Sequence, residues 1–316
     1  MTNDNVKLYV EPRKVSTWTA FKKEKGPYSI ALDGRVHSPT KRDPTGPYAN
    51  FDHHSGVDRL ATRSTSGQVH LELNMGLMNT FRQNGIPRAD VYVNDADEDT
   101  CLAYWLLKHS DEVAPHKNPL VNRLTNVEDL LDCTAGAYPL GNTSMRRKMA
   151  WIFKPYNDAR FAGKIAEMGE REMRNIIEAV EVRITKHIYN EGEELALEGH
   201  FERLGGGTIW AFTNETGPAS RMAMYEAGVN AFASVVAEKE DGSRVYTLGR
   251  ASVWVPFDLP RLFKALNKEE AKYVEIGPMN KWAGSDTIGG SPRQTGSKIE
   301  PKKLQEIIET TLYSKK

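Results

Sequence analysis

The feature that most constrains this chain is a short buried strand running through an acidic turn into an apolar helix. Residues 89–93 (ADVYV) follow a Gly-Ile-Pro break and read as a buried strand. Asn94-Asp95 is a helix-start signal, and residues 98–109 carry an apolar body of Leu102, Tyr104, Trp105 and Leu106. Strand, polar turn and helix in that order make the βα unit of an α/β sheet, where ligands sit at strand carboxyl ends. The turn, Asn94-Asp95-Ala96-Asp97-Glu98-Asp99-Thr100, packs four acids into five positions. Capping and the helix macrodipole account for one or two of them. Four repel one another unless a cation neutralises them.

The surrounding sequence continues the pattern. Residues 28–32 read as a strand ended by Asp33-Gly34. Residues 48–51 read as a second extended piece that runs into Asp52-His53-His54. Residues 66–82 have a roughly helical apolar period, and residues 157–190 read as a long amphipathic helix dense in charge. The second half predicts strands at 208–212, 231–237, 244–248 and 252–255, and helices at 221–228, 259–266 and 301–312. A loop rich in glycine and serine covers 282–297. The expected fold class is therefore α/β: an N-terminal parallel-sheet domain over 1–156, a long linker helix over 157–193, and a smaller C-terminal α/β domain over 194–316. A chain of 316 residues has room for two such domains.

Charge excludes some functions. Lysine plus arginine is 42 and aspartate plus glutamate is 42, which argues against a coat for nucleic acid or for an anionic membrane. Two cysteines, Cys101 and Cys133, make neither a disulfide scaffold nor a cysteine-rich zinc site. The first residues are polar and lack the apolar core of a secretory signal, and no apolar run is long enough for a bilayer. A soluble cytoplasmic protein is expected.

Asp52-His53-His54 is the sharpest motif. Carboxylate and imidazole donors aimed at one point suit a borderline divalent ion such as manganese, zinc or iron(II). The plainer reading is a polar strand-to-loop turn. Asp132, in Leu130-Leu131-Asp132-Cys133-Thr134-Ala135-Gly136, reads on its own as a cap or turn residue. His37 precedes the loop that leads to Asp52, and the other histidines read mostly as surface or helix-end residues.

Phe51-Asp52-His53-His54 resembles the signature of the DHH phosphoesterase superfamily. That group holds RecJ-type single-strand exonucleases, nanoRNA and cyclic-dinucleotide phosphodiesterases, exopolyphosphatases and family II inorganic pyrophosphatases. Residues 61–69 (ATRSTSGQV) look like the small-hydroxyl stretch that opens a helix after the signature. Asp97-Glu98-Asp99-Thr100 with Leu102-Ala103 resembles its Asp-x-Asp metal motif, and Asp132-Cys133-Thr134-Ala135-Gly136 its later ligand aspartate. The resemblance implies that Asp52, His53, His54, Asp97, Asp99 and Asp132 hold one or two Mn2+ ions, with other divalent ions suited to the same donors. Asp97 and His54 would also be catalytic, His54 as general acid. It further implies a C-terminal substrate-binding domain with a glycine-rich loop, here Gly289, Gly290, Ser291 and Arg293, with Arg250 facing the same cleft. Trp254 and Trp282 could stack a base. One departure stands out: in the family the Asp-x-Asp motif usually precedes the Asp-His-His signature, and here it follows. The implied function is manganese-dependent hydrolysis of a phosphodiester or phosphoanhydride bond in a small nucleotide, oligonucleotide or polyphosphate. The alternative is a catalytically inactive nucleotide- or phosphate-binding regulator on the same fold. The partner is a small phosphorylated substrate or a short single-stranded nucleic acid, with no membrane.

Overall fold

Short apolar strands between helices assemble here into one main sheet in each of two units, with a small two-stranded pair besides. A computed structural model describes residues 4–114, 118–136, 138, 140, 143–197, 199–215, 219–277, 280–292 and 295–314. One unit comprises Met1–Cys133, Leu140–Tyr156 and Met168–Ala196; the other comprises Thr134–Pro139, Asn157–Glu167 and Leu197–Lys316.

The first unit is built on strands β1 (Val6–Val10), β2 (Ser29–Leu32), β3 (Lys41–Asp43), β4 (Tyr48–Phe51) and β7 (Ala89–Val93). The small pair β5 (Arg82–Gln83) and β6 (Ile86–Pro87) stands apart from that sheet. The sheet order is β1-β7-β2-β4-β3. Its first four strands are mutually parallel, and β3 runs antiparallel on β4. β2 is buried along its whole length, as befits a central strand. β1 alternates: Val6, Leu8 and Val10 point inward while Lys7 and Tyr9 do not, the pattern of an edge.

Helices α1 (Trp18–Glu24), α2 (Thr65–Asn74), α3 (Leu77–Thr80), α4 (Glu98–Lys108), α5 (Ser110–Val113), α6 (Pro119–Cys133), α7 (Thr143–Ile152) and α9 (Glu170–Ile188) complete this unit, and α8 (Lys154–Phe161) begins in it and ends among residues of the second. Residues 99–107 of α4 are all buried, because α2, α6 and α9 pack around it. At roughly 2 kcal/mol for each large apolar side chain, this helix is a main source of the unit's stability.

Two expected helices are shorter than the sequence pattern implied. The one over 66–82 ends at Asn74, and Gly76 in left-handed backbone separates it from α3. The one over 157–193 is broken: α8 ends at Phe161, Gly163 takes φ +69°, and α9 starts only at Glu170. The Glu172 carboxylate accepts from the Gly169 N–H at 2.9 Å, which fixes that start. α9 buries Met173, Ile176, Ile177, Val180, Ile184 and Ile188 and packs on α4 and α7 within the first unit. Trp105 Nε1 donates to Thr185 Oγ1 at 2.9 Å across the α4–α9 contact.

The second unit carries β8 (Phe201–Gly206), β9 (Ala211–Glu215), β10 (Ala231–Glu238), β11 (Arg244–Arg250), β12 (Ala283–Gly284) and β13 (Ile288–Gly290) in the order β12-β13-β11-β10-β9-β8. Only β9 and β10 pair in parallel, and α10 (Ser220–Glu226) lies between them in sequence. α11 (Leu259–Glu270) and α12 (Pro301–Tyr313) close a core that includes Trp210, Phe212, Leu248, Phe257, Leu262, Leu266, Trp282 and Leu304. The buried Glu270 carboxylate accepts from Trp282 Nε1 at 2.9 Å, from the Lys298 N–H at 2.8 Å and from Ser297 Oγ, so it ties three segments together. The extended piece expected at 252–255 is a turn, closed by the Val255 N–H on the Ser252 carbonyl. Pro256 follows at once and supplies no ladder donor. No helix among the described residues is long and apolar enough to cross a membrane.

Candidate metal centre

Strands β7, β2 and β4 are parallel neighbours, so their carboxyl ends open on one edge of the sheet. Each ends in an acidic segment: Asp33 after β2, Asp52-His53-His54 after β4, and the 94–99 turn after β7. Asp132 comes from the last turn of α6. Asp33 has φ +48°, a left-handed conformation that aspartate tolerates better than most residues. Its N–H donates to the Phe51 carbonyl, and Thr65 Oγ1 donates to its Oδ1 at 2.8 Å.

His53 is the centre of the arrangement. It is 1% exposed, and neither ring nitrogen has an aligned hydrogen-bond partner among the described residues. Its Nε2 nevertheless stands 2.8 Å from Asp132 Oδ2, 3.7 Å from Asp99 Oδ2 and 3.7 Å from Asp33 Oδ1. An oxygen that close without hydrogen-bond alignment is what two ligands of one cation look like, since donors at about 2 Å from an ion lie roughly 3 Å from each other. His54 Nδ1 lies 3.3 Å from Asp33 Oδ1. Two groups of potential ligands result, Asp33–His53–His54 and His53–Asp99–Asp132, each with ligand atoms within 4.8 Å of one another and both using His53.

The scaffold explains why these side chains hold still. The N-terminus of α2 grips Asp99: the Thr65 N–H donates to Oδ2 at 2.6 Å and the Ser66 N–H to Oδ1 at 2.8 Å. Ser64 caps the same helix through the Gly67 N–H. The hydroxyl-rich stretch after the signature therefore serves to aim a carboxylate. Asp132 is gripped by Arg59, whose Nη2 donates to Oδ1 at 3.0 Å and to Oδ2 at 3.1 Å.

Four of the six expected ligands, His53, His54, Asp99 and Asp132, belong to these groups; Asp52 and Asp97 do not. Asp52 spends its carboxylate on the turn, with Oδ1 accepting from the His54 N–H at 3.1 Å and Oδ2 from the Ser55 N–H at 3.2 Å. It thereby orients His54, and its oxygens belong to neither ligand group. Asp97 is the N-cap of α4 and accepts from the Thr100 N–H at 2.9 Å. In the Asp-x-Asp pair the first residue thus caps the helix start, and the second belongs to a ligand group. Asp33 was absent from the expected set. Its signal was an aspartate directly after a buried strand, the same placement as Asp52.

Electrostatics follow from burial and crowding. Burial opposes ionisation of Asp33, but the adjacent His54 and His53 charges outweigh it and hold this carboxyl below the ordinary range. Burial is likewise outweighed at Asp132, which Arg59 and His53 hold at about 2. Asp99 is pushed up to about 6 by burial and by Asp132 and Asp33. Burial, Asp33 and Asp95 raise Asp97 well above the carboxylate range. Both imidazoles are raised despite burial, His53 chiefly by Asp132 and His54 chiefly by Asp33. A divalent ion would replace these protons as the positive charge among the acids. Cys101 and Cys133 are free buried thiols whose pKa burial pushes up, and neither belongs to a ligand group among the described residues.

The substrate-binding residues expected in the second half are largely committed to structure. Gly289 and Gly290 are strand residues opposite Leu248 and Thr247. A Cβ on Gly290 would meet the Tyr246 carbonyl oxygen at 2.3 Å, so close strand approach accounts for that glycine. Ser291 Oγ accepts from the Tyr246 N–H at 3.0 Å. Arg250 is buried, with Nε donating to the Asp286 carbonyl and Nη1 to the Val255 carbonyl. Arg293 lies outside the described residues. Trp282 is in the core, whereas Trp254 is 90% exposed.

Compared with known protein families, the chain matches no family model, and no curated protein matches it.

Proposed function

We propose that the first unit holds a divalent-cation centre that hydrolyses phosphoric esters, its mixed imidazole and carboxylate donors suiting a borderline ion, with manganese the one the resemblance to DHH phosphoesterases implies. The observation that carries this reading is the buried His53 ring, with three carboxylate oxygens around Nε2 and no aligned hydrogen bond among the described residues. Orphaned polar atoms of that kind are costly in a protein interior and call for a partner. Asp33, His53, Asp99 and Asp132 would hold the ion. Such an ion lowers the pKa of a bound water and neutralises phosphate oxygens. His54 has a different task in this reading. Asp33 and Asp52 face its Nδ1, and Nε2 makes no hydrogen bond among the described residues. At 39% side-chain exposure it can hand a proton to a leaving oxygen. The substrate class is a phosphodiester or phosphoanhydride of a small nucleotide, oligonucleotide or polyphosphate, as the resemblance to DHH phosphoesterases implies.

A phosphate-binding regulator would use the same donors without turnover. Metal content by mass spectrometry, together with hydrolysis of bis-p-nitrophenyl phosphate in manganese, separates the readings. The expected result is bound ion plus turnover, both lost in His53→Ala. Bound ion with no turnover across a broad panel selects the regulator. No bound divalent ion sinks both.

A further inference from the structure

Arg59 is a buried, permanently charged cation beside the acidic ligands of this centre. It lies five residues beyond His54, at the start of a short 3-10 turn (Arg59–Ala61) capped by Asp58. The residue is 5% exposed. Nε and Nη2 donate to the Asp132 main-chain carbonyl at 3.3 and 3.0 Å, and Nη2 also spans both oxygens of the Asp132 carboxylate. The guanidinium therefore lies one contact from Asp132, whose Oδ2 is 2.8 Å from His53 Nε2. The charges of Asp33 and Asp99 act on it as well. Of its five N–H donors, those on Nε and Nη2 are engaged, and Nη1 donates to nothing among the described residues.

Charge balance for Asp132 does not need this geometry. A lysine amine would neutralise one carboxylate as a point charge. A guanidinium locked along one edge is a rigid mount that leaves its other nitrogen fixed in place. Guanidinium groups suit phosphate because they are planar, always charged and offer parallel donors. We propose that Arg59 is the anion-contacting side chain of this centre: anchored to Asp132 by Nε and Nη2, it offers Nη1 to an oxygen of a phosphate group bound beside the metal ligands. The inference rests on the reading of the centre as a phosphoesterase and assigns its oxyanion contact to this chain's own first unit. Arg59 thus binds substrate and also positions one ligand.

The test uses the full chain loaded with manganese, with inorganic phosphate as the probe. Three quantities are read: manganese stoichiometry, phosphate affinity by calorimetry, and the split of KM and kcat on bis-p-nitrophenyl phosphate. Arg59→Gln loses the charge, while Arg59→Lys keeps a charge beside Asp132 but lacks Nη1, and serves if the glutamine variant does not fold. The expected result for Arg59→Lys is unchanged manganese stoichiometry, phosphate binding weakened at least tenfold and KM raised with it. Phosphate affinity equal to wild type in the lysine variant overturns the assignment. Loss of manganese in that variant also overturns it, since Arg59 would then only position Asp132. Wild-type protein that binds neither manganese nor phosphate overturns the phosphoesterase reading and this inference together.

Discussion

Glutamate 11 offers a quantitative test of how the centre is supported from behind. Its Oε2 accepts from Arg35 Nε at 2.9 Å and from Arg35 Nη2, and its Oε1 accepts from Lys25 Nζ at 2.8 Å and Lys14 Nζ at 3.2 Å. The Arg35 side chain is 0% exposed, with Nη1 on Ser16 Oγ as its other side-chain bond. Arg35 follows the Asp33-Gly34 turn, so this pair fixes the turn that presents Asp33. Glu11→Gln would leave a buried guanidinium without its counter-charge. Breaking a buried pair costs about 3–5 kcal/mol, and the partial exposure of Glu11 points to the lower end. Burial is outweighed by Lys25 and Arg35, which hold the Glu11 carboxyl at about 2 against an ordinary 4.5. That difference is worth at most about 3 kcal/mol, and about 2 kcal/mol after allowing for solvent screening. Urea unfolding at pH 7, followed by amide exchange in β2 and β7, should show Glu11→Gln less stable by about 2–3 kcal/mol. Because the folded-state pKa is depressed, the contribution is complete above about 4.5 and fades as pH falls toward 2. The gap between wild type and variant should close over that window. A gap under about 0.5 kcal/mol at pH 7, the size of an ordinary surface change, would refute the reasoning, as would one that persists unchanged to pH 2.

Two further contrasts separate roles that the sequence made look alike. Asp97→Ala should cost about 1 kcal/mol in thermal unfolding, as for a lost N-cap, and keep bound manganese, whereas Asp99→Asn should lose the ion; the reverse pattern would reject the assignment of the cap. Gly290→Ala should destabilise the second unit by roughly 1–3 kcal/mol through the clash with the Tyr246 carbonyl, seen as faster amide exchange in β11; a variant as stable as wild type would mean the strand is not packed as described.

The first unit was legible where local chemistry decides structure. The strands at 28–32, 48–51 and 89–93 emerge with at most one residue of difference, because short apolar runs bounded by turn residues have few alternatives. α4 was equally plain, with its acidic start and apolar body. Helix breaks were harder to read: the amphipathic period runs on through Gly163, and only the left-handed backbone there ends the helix. At the site, residue type located the neighbourhood but did not assign the roles. Aspartates at 33, 52, 97 and 99 are chemically equivalent in sequence. Local turn and cap bonds engage Asp52 and Asp97, whereas the N-terminus of α2 holds Asp99 toward His53 through the Thr65 and Ser66 N–H groups, and that long-range grip exists only in the folded unit. Gly289 and Gly290 illustrate the same limit, since small residues suit a phosphate loop and a tight strand ladder equally well.

The strand order has a consequence for how the centre comes into being. β1 and β2 are not neighbours: β7, made some sixty residues after β2 begins, is inserted between them. Until that insertion occurs, β1 has no pairing partner and the 94–99 turn has no fixed position beside Asp33 and His53. Asp132 arrives later still. A growing chain therefore carries its donors scattered until the whole first sheet is complete, and pairing of that sequence separation is intrinsically slow. An ion that binds only the finished arrangement acts as a clasp on the last step, adding about 2.7 kcal/mol to the native state when present at a hundred times its dissociation constant. Under the proposed function, manganese supply during synthesis would set how much of the chain reaches the folded state, before any substrate is met.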